Sequence, residues 1–233
     1  MKNTVKYAVI QTLPVLFGYL FLGIGFGIMI QQAGYGVLWA ALCSVLIYAG
    51  SGQYLLVGLL AEGAALSTVA SLTFLLNSRH IFYGLSFIEK FREFGKKGIY
   101  LIFSLTDETY SVFCSLKPPA DVDEKKAMLL IAFLDHCYWV TGSVLGALLG
   151  QAMPFDFTGI DFSMTALFIV IFIDQWMAFR SHLPAVIGGA SALVFLVLLG
   201  PDHFLLPALI VTVAALMGCK QIILRQMEQE VKA

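Results

Sequence analysis

Residues 7–30, 37–60 and 183–201 contain no charged side chain. A helix needs roughly 20 consecutive apolar residues to cross a hydrocarbon core about 30 Å thick, and each run is long enough. In such a solvent every backbone N–H and C=O must be satisfied within the chain, which leaves helices or a closed barrel. Barrel strands alternate apolar and polar residues in short stretches, and these runs do not alternate. The chain is therefore expected to be all-α, a polytopic transmembrane helical bundle. Its 233 residues are 59% hydrophobic and 12% charged, where a soluble domain carries roughly 25% charge.

Eight apolar segments are predicted, over 10–31, 37–60, 64–88, 98–116, 127–150, 162–179, 183–200 and 203–219. They are read as about 7–8 membrane segments of one integral membrane transporter domain over residues 1–233. The first segment is expected to be retained, because it is too long for a cleaved signal. Only two connections, Glu89–Lys97 and Lys117–Lys126, carry several charges. With eight full spans, Lys2, Lys6, Lys117, Lys125, Lys126, Arg180, Lys220, Arg225 and Lys232 lie on one side. Lys90, Arg92, Lys96 and Lys97 then lie on the other. That bias places both termini in the cytoplasm. If the basic Glu89–Lys97 loop is cytoplasmic too, segment 64–88 or 98–116 does not cross fully. Cys43, Cys114, Cys137 and Cys219 all fall in apolar segments and read as small buried packing residues rather than disulfides or metal ligands.

Polar breaks interrupt the apolar runs. Tyr48-Ala49-Gly50-Ser51-Gly52-Gln53 carries two glycines inside the second segment, and Asn77-Ser78-Arg79-His80 lies deep in the third. Broken or re-entrant helices are expected near Gly50–Gly52 and Asn77–His80. Backbone opened at such depth is tolerated only where it lines a cavity or is buried in protein, and transporters use these points to hold substrate. Gly142, Gly146 and Gly150, and likewise Gly23 and Gly27, recur every four residues and read as ridges for close helix packing.

An ionisable group at membrane depth costs at least about 2.5 to 3.5 kcal/mol on the mildest insertion scales. Here the set is Arg79, His80, Asp107, Glu108, Asp135, His136 and Asp174. Four carboxylates face one arginine, so some must be protonated, wetted, near an interface or paired with an outside cation. The functional reading is a common cavity whose carboxylates and histidines carry protons or pair with charge. The alternative is a structural ion pair of Arg79 with Asp107 or Glu108. No H-E-x-x-H, G-x-S-x-G or P-loop occurs, so no enzyme, metal or cofactor is expected. The net charge of −1 gives no reason to expect nucleic acid.

The motifs Tyr48–Gln53, Asn77–Gly84 and Thr106-Asp107-Glu108, in this order and spacing, resemble the AzlC family, over about residues 10 to 219. That resemblance implies the large subunit of a two-component exporter of branched-chain and related apolar amino acids in the bacterial inner membrane. It implies drive by the proton-motive force and a small AzlD-type membrane partner. Tyr48, Ser51, Gln53, Arg79, His80, Tyr83, Asp107 and Glu108 carry over as candidates. A channel, or an exporter of another small metabolite, is the competing reading. A zwitterion needs an anion site, a cation site and an apolar pocket. Tyr48, Gly50, Ser51, Gly52, Gln53, Asn77 and Tyr83 are the candidate substrate-binding residues, with the opened backbone taking the carboxylate. Arg79, His80, Asp107, Glu108, Asp135 and His136 are the candidates for proton coupling or ion pairing. Phe74 and Phe82 are candidates for the apolar pocket.

Overall fold

The computed structural model describes residues 2–152, 181–200, 204, 207–208 and 210–219, with 162, 165–166, 169, 172–173 and 176–177, the side chains of Leu75, Arg79 and Phe82 excepted. Segment 162–179 with Asp174, and Arg180, His203 and the tail 220–233, lie largely or wholly outside the described residues. The regular elements described are all helices. They fall into two compact units, Met1–Met164 and Thr165–Ala233. The second unit contains the apolar helices Leu183–Leu199 and Ile210–Cys219.

In the first unit, α1 (Lys2–Gln32) and α8 (Glu124–Ala152) are long and apolar enough to cross a membrane. They are the frame. Gly23 and Gly27 of α1 lie directly against Gly142 and Gly146 of α8. A Cβ on Gly27 would overlap the Ser143 carbonyl oxygen, and one on Gly146 would overlap that of Ile24. Side-chain bulk is excluded along this seam, so the two backbones touch, as the four-residue spacing predicts.

The segments between them are broken. The second is α2 (Val37–Leu46) and α3 (Gly50–Ala61), the third α4 (Leu66–Asn77) and α5 (Arg79–Arg92), and the fourth α6 (Lys97–Phe103) and α7 (Asp107–Ser115). The expected break before Gly52 is present. Ala49 is extended, and Tyr48 sits at φ +44, the only non-glycine with positive φ among the described residues. That conformation costs a bulky side chain of order 1–3 kcal/mol and persists only where the surroundings hold it. The break at Ser78 is milder, because Ser78 itself is helical (φ −57, ψ −27). A third break, at Ser104–Thr106, falls in segment 98–116, one of the two candidates for not crossing fully if the Glu89–Lys97 loop is cytoplasmic.

Tertiary contacts fix where each segment goes. The ends of α1 and α3 meet in one groove lined by Met29, Gln32 and Ala33 with Gly58, Ala61 and Glu62. So α2 and α3 form a hairpin that enters and leaves at the same end of the bundle. At the opposite end, Lys90 pairs with Glu124 and Lys125 with Glu93, while Asn3 Nδ2 donates to Asp121 Oδ2 at 2.8 Å. Hydrogen bonding and charge from Lys125 hold the Glu93 carboxyl below its usual range. The Glu89–Lys97 and Lys117–Lys126 connections are thus neighbours, and the expectation of opposite sides is overturned. Segment 98–116 turns back; α6 and α7 form a second hairpin, entering from the basic end. Segment 37–60 turns back as well. Among the described residues of this unit, α1, α4–α5 and α8 run end to end.

The cysteines are only partly as expected. Cys43 is buried, but Cys114 is exposed and Cys137 intermediate.

The glycine seam yields a stability prediction. Gly146→Ala is expected to lower the unfolding midpoint in detergent micelles by the equivalent of about 1–3 kcal/mol or more, the usual cost of overpacking. Gly18→Ala, with no atom within 4 Å of the new Cβ, is expected to leave the midpoint unchanged or slightly raised, since alanine is favoured over glycine inside a helix.

Candidate functional site

The tips of the two hairpins meet beside the middle of α8. At the end of α2, the last carbonyls have no continuing helix to bond. Ile47 N–H closes back on Cys43 O. The Ser44 carbonyl accepts from His136 Nε2 at 3.2 Å. With Nε2 donating, Nδ1 accepts from Tyr100 OH at 3.2 Å, so one imidazole ties the first tip to α6 of the second hairpin. The Tyr48 ring lies 4.2 Å from that imidazole, centroid to centroid, and 6.2 Å from Phe103. These contacts hold Tyr48 in its unusual backbone conformation.

At the start of α3, Gly50 faces the Trp139 ring and Gly52 faces the Asn77 amide; a Cβ at either would come within 3.2 Å of them. Gln53 is fully buried. Its Oε1 accepts from Trp139 Nε1 at 2.8 Å and its Nε2 donates to Ser44 Oγ at 3.1 Å. Ser44 Oγ donates to Ser143 Oγ at 2.7 Å, and Ser143 Oγ donates to the Trp139 carbonyl at 2.8 Å. Ser51 is buried in the same turn. The side-chain amide oxygen of Asn77, at the end of α4, is buried and accepts no hydrogen bond from the described residues.

The second tip is built by a cap. Thr106 Oγ1 accepts from Thr109 N at 3.3 Å and starts α7, whose first turn carries Asp107 and Glu108. Acidic residues suit a helix N-terminus, where the aligned peptide dipoles leave partial positive charge. Thr109 Oγ1 donates to Asp135 Oδ2 at 2.8 Å. Asp135 has 0% relative exposure, and its Oδ1 is buried without a hydrogen bond among the described residues. Tyr19 of α1 closes the cluster. Its hydroxyl lies 2.6 Å from Thr106 Oγ1 and donates to Glu108 Oε2 at 2.8 Å, while its ring packs edge-on against Trp139 at 5.4 Å.

Of the residues expected in the site, Tyr48, Gly50, Ser51, Gly52, Gln53, Asn77, Glu108, Asp135 and His136 are therefore gathered around the two tips, with Asp107 at the head of α7. Tyr83 stacks on Tyr110 at 4.5 Å, and His80 lies 5.8 Å from Tyr83; these ring contacts lead towards Phe87 on the basic side. The side chain of Arg79 lies outside the described residues, as does that of Phe82. Phe74 is 65% exposed. Sequence reasoning missed Tyr19, Ser44, Tyr100, Thr109 and Ser143. Their hydroxyls inside apolar segments were the available signal. Thr106 ahead of two acids was a helix-start signal as well.

The AzlC protein family matches residues 14–153, which include both hairpins and α8. The chain belongs to the AzlC family. The branched-chain amino acid transport protein AzlC of Bacillus subtilis is 37% identical over 218 residues, covering 94% of this chain and 84% of the relative. A membrane protein of Haemophilus influenzae described as uncharacterized is 40% identical over 210 residues, covering 90% of this chain and 84% of its own. The inner membrane protein YgaZ of Escherichia coli is 27% identical over 180 residues, 73% of each chain. No solved structure matches the chain.

Gln53 and Trp139 give a second prediction. Gln53→Leu leaves the buried Trp139 N–H without an acceptor, which costs about 1–3 kcal/mol. Adding Trp139→Phe to Gln53→Leu is expected to lower the unfolding midpoint less than Trp139→Phe does alone, because the orphaned donor leaves with the indole. Equal decrements in both backgrounds would show that the pair is not coupled.

Proposed function

We propose that the chain is the large subunit of a secondary-active exporter of branched-chain and related apolar amino acids in the bacterial inner membrane, driven by the proton gradient and completed by a small AzlD-type membrane partner. The observation that carries this reading is the meeting of two half-helix tips on a buried carboxyl, Asp135, in a protein of this family. The name of the Bacillus relative supports the substrate class.

The chemistry suits a zwitterion with an aliphatic side chain. The N-terminus of α3, at Gly50–Gly52, lies at the first tip, and a helix N-terminus attracts a carboxylate. The Asn77 amide beside Gly52 supplies polar atoms at the same place. The first turn of α7 supplies negative charge for the ammonium, with Asp107 its proposed partner. Apolar surroundings of low dielectric strengthen both interactions. Tyr48, at the tip between them, separates the two charged ends.

Sidedness follows from charge. The end of the first unit bearing the N-terminus carries Lys2, Lys6, Lys90, Arg92, Lys96, Lys97, Lys117, Lys125 and Lys126. The connections at the other end, residues 31–36, 61–66 and 150–152, contain no Lys or Arg. The positive-inside bias then puts the N-terminus and the mouth of the α6–α7 hairpin in the cytoplasm, and the mouth of the α2–α3 hairpin on the outer face.

The test is flux in proteoliposomes holding the full chain with its small partner and loaded with radiolabelled leucine. Saturable efflux that accelerates with an imposed proton gradient and collapses with an uncoupler is expected. Asn77→Leu is expected to raise the leucine concentration giving half-maximal rate. Flux that rises linearly with concentration, indifferent to the gradient, would instead describe a channel. No leucine flux at all would remove the substrate assignment.

A further inference from the structure

Glu108 and Asp135 stand at the two ends of an unbroken chain of hydroxyl groups. From Glu108 Oε2 it runs to Tyr19 OH at 2.8 Å, to Thr106 Oγ1 at 2.6 Å, to Thr109 Oγ1 at 3.1 Å and to Asp135 Oδ2 at 2.8 Å. All four contacts fall in the hydrogen-bond range for oxygen, or within about 0.1 Å of it. Each needs one hydrogen between its two oxygens. The three hydroxyls bring one hydrogen each. With both carboxylates ionised, three hydrogens serve four contacts. Tyr19 then donates to Glu108 and Thr109 to Asp135, so either the Tyr19–Thr106 pair or the Thr106–Thr109 pair faces oxygen to oxygen with nothing between. A fourth hydrogen, on one carboxyl, completes the chain.

We infer that Glu108 and Asp135 share a single proton, relayed between them through Tyr19, Thr106 and Thr109. The chain then has two complete arrangements. In one, the Glu108 acid donates to Tyr19, Tyr19 to Thr106, Thr106 to Thr109 and Thr109 to the Asp135 carboxylate. In the other, every donor is reversed and Asp135 holds the acid. Passage between them breaks one O–H bond and makes one at each oxygen of the relay. Glu108 loses a proton, Asp135 gains one, each hydroxyl keeps one hydrogen, and one negative charge moves from Asp135 to Glu108. Thr106 accommodates both, because its oxygen accepts from the Thr109 N–H in either case.

The surroundings of Asp135 suit a relay. Asp135 is fully buried, and its Oδ1 meets no donor among the described residues. The titratable groups facing it among the described residues are Tyr19, Tyr48, Tyr100 and Glu108, none of them a cation. His136 is its neighbour in sequence, but both imidazole nitrogens are committed, to Ser44 and Tyr100. Asp107 adjoins Glu108 at the head of α7. Glu108 is only partly buried. The relay therefore joins a deep carboxyl to one nearer an exit, across the face where the α7 tip meets both long helices. It deepens the transport reading by naming the groups that hold the coupled proton.

The experiment is infrared difference spectroscopy of the purified full-length protein, reading the carbonyl stretch of protonated carboxyl groups. The wild type is expected to show a buried acid band that shifts in deuterium oxide. Asp135→Asn and Glu108→Gln are each expected to abolish it, because the introduced amide supplies the fourth hydrogen and leaves the remaining carboxyl ionised. A band that survives in either variant overturns the shared proton. Tyr19→Phe keeps the ring that packs on Trp139 and removes only the relay oxygen. In proteoliposomes its ratio of gradient-driven to gradient-free leucine flux is expected to fall to about one, against a ratio well above one in the wild type. Wild-type acceleration in Tyr19→Phe would also overturn the relay. Should the wild type move no leucine, the substrate assignment falls and the infrared result stands by itself.

Discussion

Everything in the first unit is arranged around a contact between two backbones. Along Gly23, Gly27, Gly142 and Gly146, α1 and α8 approach so closely that a methyl group on Gly27 or Gly146 would overlap a carbonyl oxygen of the facing helix. In lipid there is little hydrophobic force to press helices together, so close packing of small residues takes its place. The seam brings Tyr19 of one helix beside Trp139 of the other. Those two rings, with Asp135 and His136 one turn below Trp139, are what both hairpin tips land on.

A helix that stops inside an apolar layer leaves carbonyls at one end and N–H groups at the other without partners. The first hairpin answers the carbonyl half with a side chain, His136 on Ser44 O. The second answers the N–H half with the Thr106 cap. Among the described residues, the Asn77 amide oxygen and one oxygen of Asp135 are buried around the tips without a hydrogen bond. In a dry interior, polar groups left this way are costly unless something else binds them. A transported zwitterion and a proton are suitable visitors.

Much of this was legible in the sequence, and the exceptions have physical reasons. The helical class followed from uncharged runs. The break at Gly50–Gly52 followed from two glycines in an apolar segment, and the seam from glycines every fourth residue. The topology was legible only in part: the basic Glu89–Lys97 loop pointed to 98–116 as one of two candidates for turning back, and nothing pointed to 37–60. Segments 37–60 and 98–116 are long enough to cross, and length alone favours crossing. Only pairings between distant residues, such as Lys90 with Glu124 and the meeting of Gln32 with Glu62, show that both segments turn back. Asp135 stood out as a carboxyl in an apolar helix. Its partner Thr109 did not, because a threonine in a membrane helix usually bonds its own backbone, and only the landing of the second tip aims it elsewhere.

The most direct test of the account is side-specific labelling of single cysteines, introduced into a chain whose four native cysteines are replaced. Glu62→Cys, Lys96→Cys and Lys117→Cys report the mouths of the two hairpins. The account predicts that Lys96→Cys and Lys117→Cys react with an impermeant maleimide from the same side of the membrane, and Glu62→Cys from the opposite side. Lys96→Cys and Lys117→Cys reacting from opposite sides would mean that residues 98–116 cross the membrane, and the meeting of two re-entrant tips would be wrong.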